Sequence, residues 1–340
     1  MVLITGGGTG GHFFPGLAVA QALRARGVEV AYVGSLGGLE ARLLPQTGLP
    51  HFLIPAGKLD RSAFRPKQGL EALRGLRAAH RLFQQLRPRL VLSTGGYAGF
   101  PMAFVAEIRG AKVLVHEQNA KLGLAARLLA PKASGLALSL PLPLPPGLAK
   151  KARVVGYPVR EVRYEKQEAK ARLGLPPGKP LLLVLGGSQG SLELNTRLPP
   201  LLKPLPYAVL HQVGAAFVER MQPWQDEDYR IAAFVDAPLA MSAADLLISR
   251  AGAGTLAEAA YHHLPAILFP LPPNLDGGAQ LANARLYAEK GAALLGRYEG
   301  LPRLVQTVLE GGLAKLKEGM ARLSPEGATG RLVDWILEAI

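Results

Sequence analysis

The chain has 340 residues, 49 % of them apolar and 19 % charged, which suits a globular protein with two cores and excludes disorder. It has no cysteine, so disulfide frameworks and thiolate metal sites are excluded, and it lacks the run of about 18 to 20 apolar residues that spans a bilayer. The formal charge of +14 calls for an anionic neighbour: nucleic acid, an acidic membrane surface or a phosphorylated substrate.

Met1-Val2-Leu3-Ile4 runs straight into glycines, without the basic flank or apolar length of a signal peptide, so a cytoplasmic location is expected. Val2 to Thr5 predicts a buried strand, Gly6 to Gly11 a turn and Pro15 to Ala25 a helix with Leu17, Val19 or Ala20, and Leu23 inward; Val28 to Gly34 predicts the next strand. Gly6, Gly8 and Gly11 satisfy the dinucleotide fingerprint G-x-G-x-x-G. A nicotinamide site also wants an acid at the end of the second strand. That end is Gly34-Ser35, and Glu29 precedes the strand, which counts against an NAD-dependent oxidoreductase. The turn can instead bring backbone N–H groups to an anion or sugar, or it can simply pack strand against helix. His12 follows it. An imidazole, with an ordinary pKa near ~6.5, suits a general base for a sugar hydroxyl, and equally a helix-start hydrogen bond to nearby backbone.

Next, Leu70, Leu73, Leu76 and Phe83 predict an apolar stripe, with Arg74, Arg77 and Arg81 at helical spacing and Arg65, Lys67, Arg87 and Arg89 flanking them. Such a basic amphipathic helix fits an anionic leaflet, or a core-facing helix with a solvated basic face. Leu90 to Ser93 and Lys112 to His116 predict short strands, each running into a polar or glycine-rich loop. His116-Glu117-Gln118-Asn119 reads as substrate-contacting or as a helix cap through Asn119. Pro141 to Pro158, rich in proline and glycine, is expected to contain or adjoin a linker.

The opening then recurs. Pro180 to Leu185 leads into Gly186-Gly187-Ser188-Gln189-Gly190 and a helical stretch. Leu246 to Ser249 predicts a strand, Arg250 to Gly254 a loop, Thr255 the start of a helix, and Ala266 to Phe269 another strand. Glu258, about one turn into that helix, could accept two ribose hydroxyls while Thr255 and the helix N-terminus take a diphosphate; it could also be a favourable first-turn acid. Asp226-Glu227-Asp228 reads as a solvated loop rather than a metal-diphosphate motif. The adjacent His262 and His263 point apart. No metal site is expected. Two such starts half a chain apart predict an α/β protein with two Rossmann-like units, residues 1–157 and 158–328, whose strand ends line a cleft.

Gly7-Gly-Thr-Gly-Gly-His-Phe-Phe-Pro-Gly-Leu-Ala18, Gly95-Gly96-Tyr97, His116-Glu-Gln-Asn119, Gly156-Tyr-Pro-Val-Arg160, Gly186 to Gly190 and Arg250 to Glu258 occur together in family order. In this the chain resembles, over nearly its whole length, the MurG family of peptidoglycan transferases. The resemblance implies the GT-B fold of two facing Rossmann-like domains, a final helix of about 329–340 crossing back onto the first, and no cofactor. It implies transfer of N-acetylglucosamine from UDP-GlcNAc, with inversion, to the C4 hydroxyl of an undecaprenyl-diphosphate-linked muramoyl-pentapeptide. His12 corresponds to the base. Thr9, Gly10, Gly11, Asn119, Arg160, Ser188, Val235 (through its backbone), Ala253, Gly254, Thr255, Leu256, Ala257, Glu258 and Gln280 correspond to donor-binding residues. Gly8, Tyr97 and His116 are assigned to the acceptor, and Leu73, Arg74, Leu76, Arg77 and Arg81 to an anionic membrane surface at the cytoplasmic face.

Two departures stand out: Tyr157 where the family usually has Asn, and the glycine- and proline-rich stretch Leu271 to Gly278. The nearest alternative is a related transferase with a diacylglycerol or aglycone acceptor. Nucleic-acid binding predicts exposed aromatics among the cations, and only 6 % of residues are aromatic.

Overall fold

The computed structural model describes residues 1–57 and 66–340, and of residues 66–68 the backbone alone. The chain divides into two compact units, Met1–Val159 with Gly327–Ile340, and Arg160–Glu326.

In the first unit the strands are β1 (Val2–Thr5), β2 (Val30–Ser35), β3 (His51–Ile54), β4 (Leu90–Ser93), β5 (Lys112–Glu117), β6 (Gly135–Leu138) and β7 (Ala152–Val154). They form one parallel sheet in the order β3-β2-β1-β4-β5-β6-β7. The strands are apolar on both faces because helices cover both. Val2 and Ile4 of β1 join Phe13, Leu23, Tyr32 and Leu92 in one core, while Leu3 joins Val33, Leu82, Met102 and Val115 in the other. The principal helices are α1 (Gly10–Ala25), α2 (Leu39–Leu43), α3 (Pro66–Leu86) and α4 (Gly96–Ile108). The helix Ala328–Ala339 completes the first core with Leu332, Val333, Trp335 and Ile336. Arg153 stacks 4.6 Å over the Trp335 ring, and Nε of Arg331 donates to the Val155 carbonyl at 2.9 Å.

The second unit holds β8 (Leu181–Leu185), β9 (Ala208–Gln212), β10 (Tyr229–Ala232), β11 (Leu246–Ser249), β12 (Ala266–Leu268) and β13 (Ala293–Leu295). Its sheet is also parallel, ordered β10-β9-β8-β11-β12-β13. In each sheet the first strand sits where the order reverses, the Rossmann pattern, so the loops after β1 and β4, and after β8 and β11, flank a switch point.

Several boundaries differ from the sequence expectation. α1 opens at Gly10, not Pro15, so His12 lies in its first turn. The helix after β11 opens at Ala253, not Thr255, which moves Glu258 into the second turn. Pro141 to Pro158 is more than a linker: it contains the helix Pro146–Ala149 and the edge strand β7. Proline suits both places, at the start of a helix and beside an edge strand.

Candidate active site

At the first switch point two glycine turns interlock. The Gly7 amide donates to the Gly95 carbonyl at 3.4 Å, and the Tyr32 hydroxyl holds the Gly6 carbonyl at 2.9 Å. Gly8 (φ +84°) and Gly96 (φ +72°) adopt left-handed backbone. A Cβ on Gly8 would lie 2.3 Å from the Tyr97 ring, and one on Gly96 would lie 2.2 Å from the Gly7 carbonyl oxygen. Under this loop sits Glu40, fully buried, its carboxylate accepting from the amides of Gly8 (2.9 Å) and Ser35 (3.0 Å). An acid thus stands beside the end of β2 after all, supplied by α2, with its oxygens committed to the protein's own amides.

Thr9 occupies the N-cap position of α1, exposed and without a side-chain cap. Helix geometry gives the amides of Gly10 and Gly11 no partner within α1. Pro15 has no N–H, so the helical bond to the Gly11 carbonyl is missing, and the Tyr157 hydroxyl supplies it at 3.1 Å. The departure at Tyr157 therefore closes a gap in the helix that carries His12.

His12 is held by the β4 loop. Its backbone carbonyl accepts from the Thr94 hydroxyl at 2.7 Å, and its Nδ1 lies 3.1 Å from the Thr94 carbonyl and 3.0 Å from Oε1 of Gln118. His116 does not reach this surface. It is 1 % exposed, its Nδ1 meets Gln118 and its Nε2 meets Ser139 and the Gly156 carbonyl. Burial lowers its pKa to about 4, so it is neutral. Nor does Asn119 cap a helix: the next one starts at Leu124. Instead Glu117 accepts from the Asn119 backbone and side chain and from the Gly123 amide, wrapping the loop between.

At the second switch point the Gly186–Gly190 loop leaves Ser188 exposed, and the helix Ala253–Tyr261 begins after Gly252 without a side-chain cap. Buried Arg250 ties the two loops, donating to Ser191 Oγ (3.0 Å), Glu193 (2.7 Å) and the Phe269 carbonyl (3.0 Å). Ala253, Gly254 and Thr255 offer first-turn amides, whereas Leu256 and Ala257 are buried at 0 % and 5 % and turn their side chains into the core. Glu258 has its pKa raised to about 7, chiefly by desolvation, with Arg160 opposing and Asp236 adding to the rise. Arg160 is ion-paired with Asp236.

Val235 keeps less of its backbone than expected, because its N–H is taken by Oε1 of Gln212 at 3.1 Å, while the Gln212 amide holds the Gly187 carbonyl at 3.0 Å. Gln280 likewise spends its carboxamide oxygen on the amides of Ala251 and Leu271, both at 3.1 Å, so it braces the loops rather than presenting that oxygen to a ligand. Asp226 accepts from the amides of Asp228 and Tyr229 and pairs with Lys203, the work of a turn. Among the described residues no group of three His, Asp or Glu is placed to hold a metal ion.

On α3 the predicted stripe splits. Ala79 and Leu82 are buried and Leu76 and Phe83 pack beside them, but Leu70 and Leu73 are 49 % and 45 % exposed. Arg74, Arg77 and Arg81 are exposed too. A groove of 410 Å³ between α3 and α4 is lined by Leu76, Arg77, His80, Arg81, Phe104 and Ile108, among others. Arg65 lies outside the described residues, as does the side chain of Lys67. Among the described residues no helix is long and apolar enough to cross a membrane.

Missed in the sequence were Glu40, Thr94, Gln118, Gln212 and Arg250, each acting on residues remote along the chain. Gln118 and Arg250 alone had a signal, the one from its place in the polar cluster after β5, the other from opening the Arg250 to Glu258 motif.

Residues 2–137 match the glycosyltransferase family 28 N-terminal domain and residues 181–328 the family 28 C-terminal domain. The chain is 66 % identical over 339 residues to a Thermus thermophilus protein named UDP-N-acetylglucosamine–N-acetylmuramyl-(pentapeptide) pyrophosphoryl-undecaprenol N-acetylglucosamine transferase, covering 100 % of this chain and 99 % of that one. A Deinococcus radiodurans protein of the same name is 37 % identical, over 99 % and 95 % of the two chains. Among solved structures it resembles Acinetobacter baumannii MurG, with a TM-score of 0.79, 31 % identity and 99 % coverage of each chain. It also resembles the glycosyltransferase of kitacinnamycin at TM-score 0.74 and 16 % identity, a likeness of fold alone.

Proposed function

The chain belongs to glycosyltransferase family 28 and, within it, to the MurG transferases, and from that premise we propose that it moves N-acetylglucosamine from UDP-N-acetylglucosamine to undecaprenyl-diphosphate-linked muramoyl-pentapeptide. One arrangement carries the reading: an uncapped helix N-terminus and a glycine loop at adjacent strand ends, with a half-buried carboxylate on the second helical turn. The amides of Ala253 to Thr255 and the Ser188 loop suit a diphosphate, and Glu258 suits the ribose hydroxyls that follow it.

The reaction is a single displacement. Nε2 of His12 takes the proton of the acceptor hydroxyl as the oxygen bonds to the anomeric carbon, and the bond to UDP breaks. Negative charge growing on UDP is met by helix N-terminal amides, Ser188, Thr255 and Arg160. The amides of Gly10 and Gly11, with Gly8, Thr9 and Tyr97, are the matching anion cradle of the first unit, for the acceptor diphosphate and the donor sugar. Leu73, Arg74, Leu76, Arg77 and Arg81 dock α3 on an anionic leaflet, which puts the protein at the cytoplasmic face as a peripheral protein.

Radiolabelled UDP-GlcNAc offered with the muramoyl lipid and with diacylglycerol separates this reading from its nearest alternative. Transfer to the muramoyl lipid alone is expected, and no transfer to it refutes the proposal. His12→Ala is expected to lower kcat by roughly 10²–10⁴ with donor affinity unchanged.

A further inference from the structure

We infer that Gln118 is the positioning residue of the base: its carboxamide oxygen, together with the Thr94 carbonyl, keeps a proton on Nδ1 of His12, and His116 keeps the carboxamide turned that way. The inference rests on His12 being the base of the proposed transfer, and it adds a reason why Nε2, rather than Nδ1, is the nitrogen that accepts.

The bonds have one consistent direction. Nδ1 of His12 lies 3.1 Å from the Thr94 carbonyl, which can only accept, so in the neutral ring Nδ1 carries the hydrogen. The orientation of the Gln118 amide is fixed independently. Its Nε2 lies 2.7 Å from the Thr94 carbonyl and 3.1 Å from the His116 carbonyl, and an oxygen there would face two acceptors. The amide oxygen therefore points at His12, 3.0 Å from Nδ1.

One residue further back the same logic holds. The Gln118 nitrogen reaches Nδ1 of His116 at 3.1 Å, so that ring nitrogen is bare. On the other side of the ring, Nε2 lies 3.2 Å from the Gly156 carbonyl and 3.0 Å from Ser139 Oγ, and the carbonyl requires a hydrogen on Nε2. A protonated His116 would set a second donor against the Gln118 NH₂ and turn the amide over. With Gln118 2 % exposed and His116 1 % exposed, bulk water offers neither group an alternative partner.

The chemical consequence is a choice of tautomer. With hydrogen on Nδ1, the Nε2 lone pair is available to a hydroxyl; with hydrogen on Nε2, the ring would present a donor and could take no proton there. On turnover the hydroxyl proton goes to Nε2, the Nδ1–H bond stays as it was, and Gln118 neither gains nor loses a proton.

The test reads the tautomer directly. In the full chain labelled with ¹⁵N-histidine, long-range ¹H–¹⁵N correlations at pH 8 report the state of each of the seven histidines, with His12 assigned by its loss in His12→Gln. The native protein is expected to show the Nδ1–H pattern at His12. Gln118→Ala is expected to shift it toward Nε2–H, with kcat down roughly 10- to 100-fold and both KM values within about twofold. An Nε2–H pattern in the native protein, which needs no variant to fold, overturns the inference, as does an unshifted pattern in Gln118→Ala. Full turnover by His12→Gln would instead overturn the base assignment and leave the tautomer result standing.

Discussion

In its proposed role at the ribose, Glu258 places function and stability in opposition at a single side chain. Its folded pKa, raised to about 7, exceeds the ordinary carboxylate value, so the folded state binds the proton more tightly than the unfolded chain does. The stability this group contributes is therefore present at pH 4 and is lost as pH rises through 7. Glu258→Gln, which carries no charge, is expected to raise the melting temperature at pH 8 by a few degrees, reflecting up to roughly 3 kcal/mol, and to leave it nearly unchanged at pH 4, below the unfolded carboxylate's pKa. UDP affinity should move the other way, weakening about 10- to 100-fold with the loss of charge-assisted bonds to the ribose. Calorimetry at the two pH values and UDP titration check both signs. The places of His12 and Glu258 in the fold were legible because each follows a glycine turn at a strand end. Glu40 and Gln118 were not, because the groups they hold lie 32 and 106 positions away and no local spacing records such a pairing.

Among elements, the strands were the most readable: Val2–Thr5, Leu90–Ser93 and Leu246–Ser249 are apolar runs too short and too β-branched or leucine-rich to be anything but buried strands once glycine follows them. Helix starts were less so. Gly10 and Gly11 have low helix propensity, and only the tertiary clasp of Thr94 and Tyr157 makes them the first turn of α1. α3 carries a prediction of its own. With Leu73 exposed beside Arg74, Arg77 and Arg81, each cation is worth ~1 kcal/mol at an anionic surface. Reversing all three to Glu should weaken binding to phosphatidylglycerol vesicles at least about 100-fold in a sedimentation assay, with UDP affinity intact. Equal sedimentation of the variant would remove α3 from the docking surface.

For the whole molecule, the recurrence of strand, glycine turn and helix foretold two parallel-sheet units, and the family motifs foretold the closing helix. Composition could not reveal how far the first unit depends on that helix. Leu332, Val333, Trp335 and Ile336 are buried in its core, and burying four such side chains stabilises by roughly 6–12 kcal/mol. That is comparable to the ~5–15 kcal/mol net stability of a typical protein. Deleting residues 327–340 should therefore abolish the first unit's melting transition while the second unit, whose core lies within 160–326, keeps its own. Retention of both transitions would show the helix to be dispensable. The same helix sets an order of events during synthesis. Arg331 and the Val155 carbonyl that it grips are 176 positions apart, with the entire second unit between them. At about 5–20 residues per second, a ribosome needs roughly 10–35 s to cross that interval. Throughout it the part of the first sheet's apolar face that Leu332, Val333, Trp335 and Ile336 will cover stays open for chaperones to find, and the first unit cannot complete its core until the whole of the second has been made.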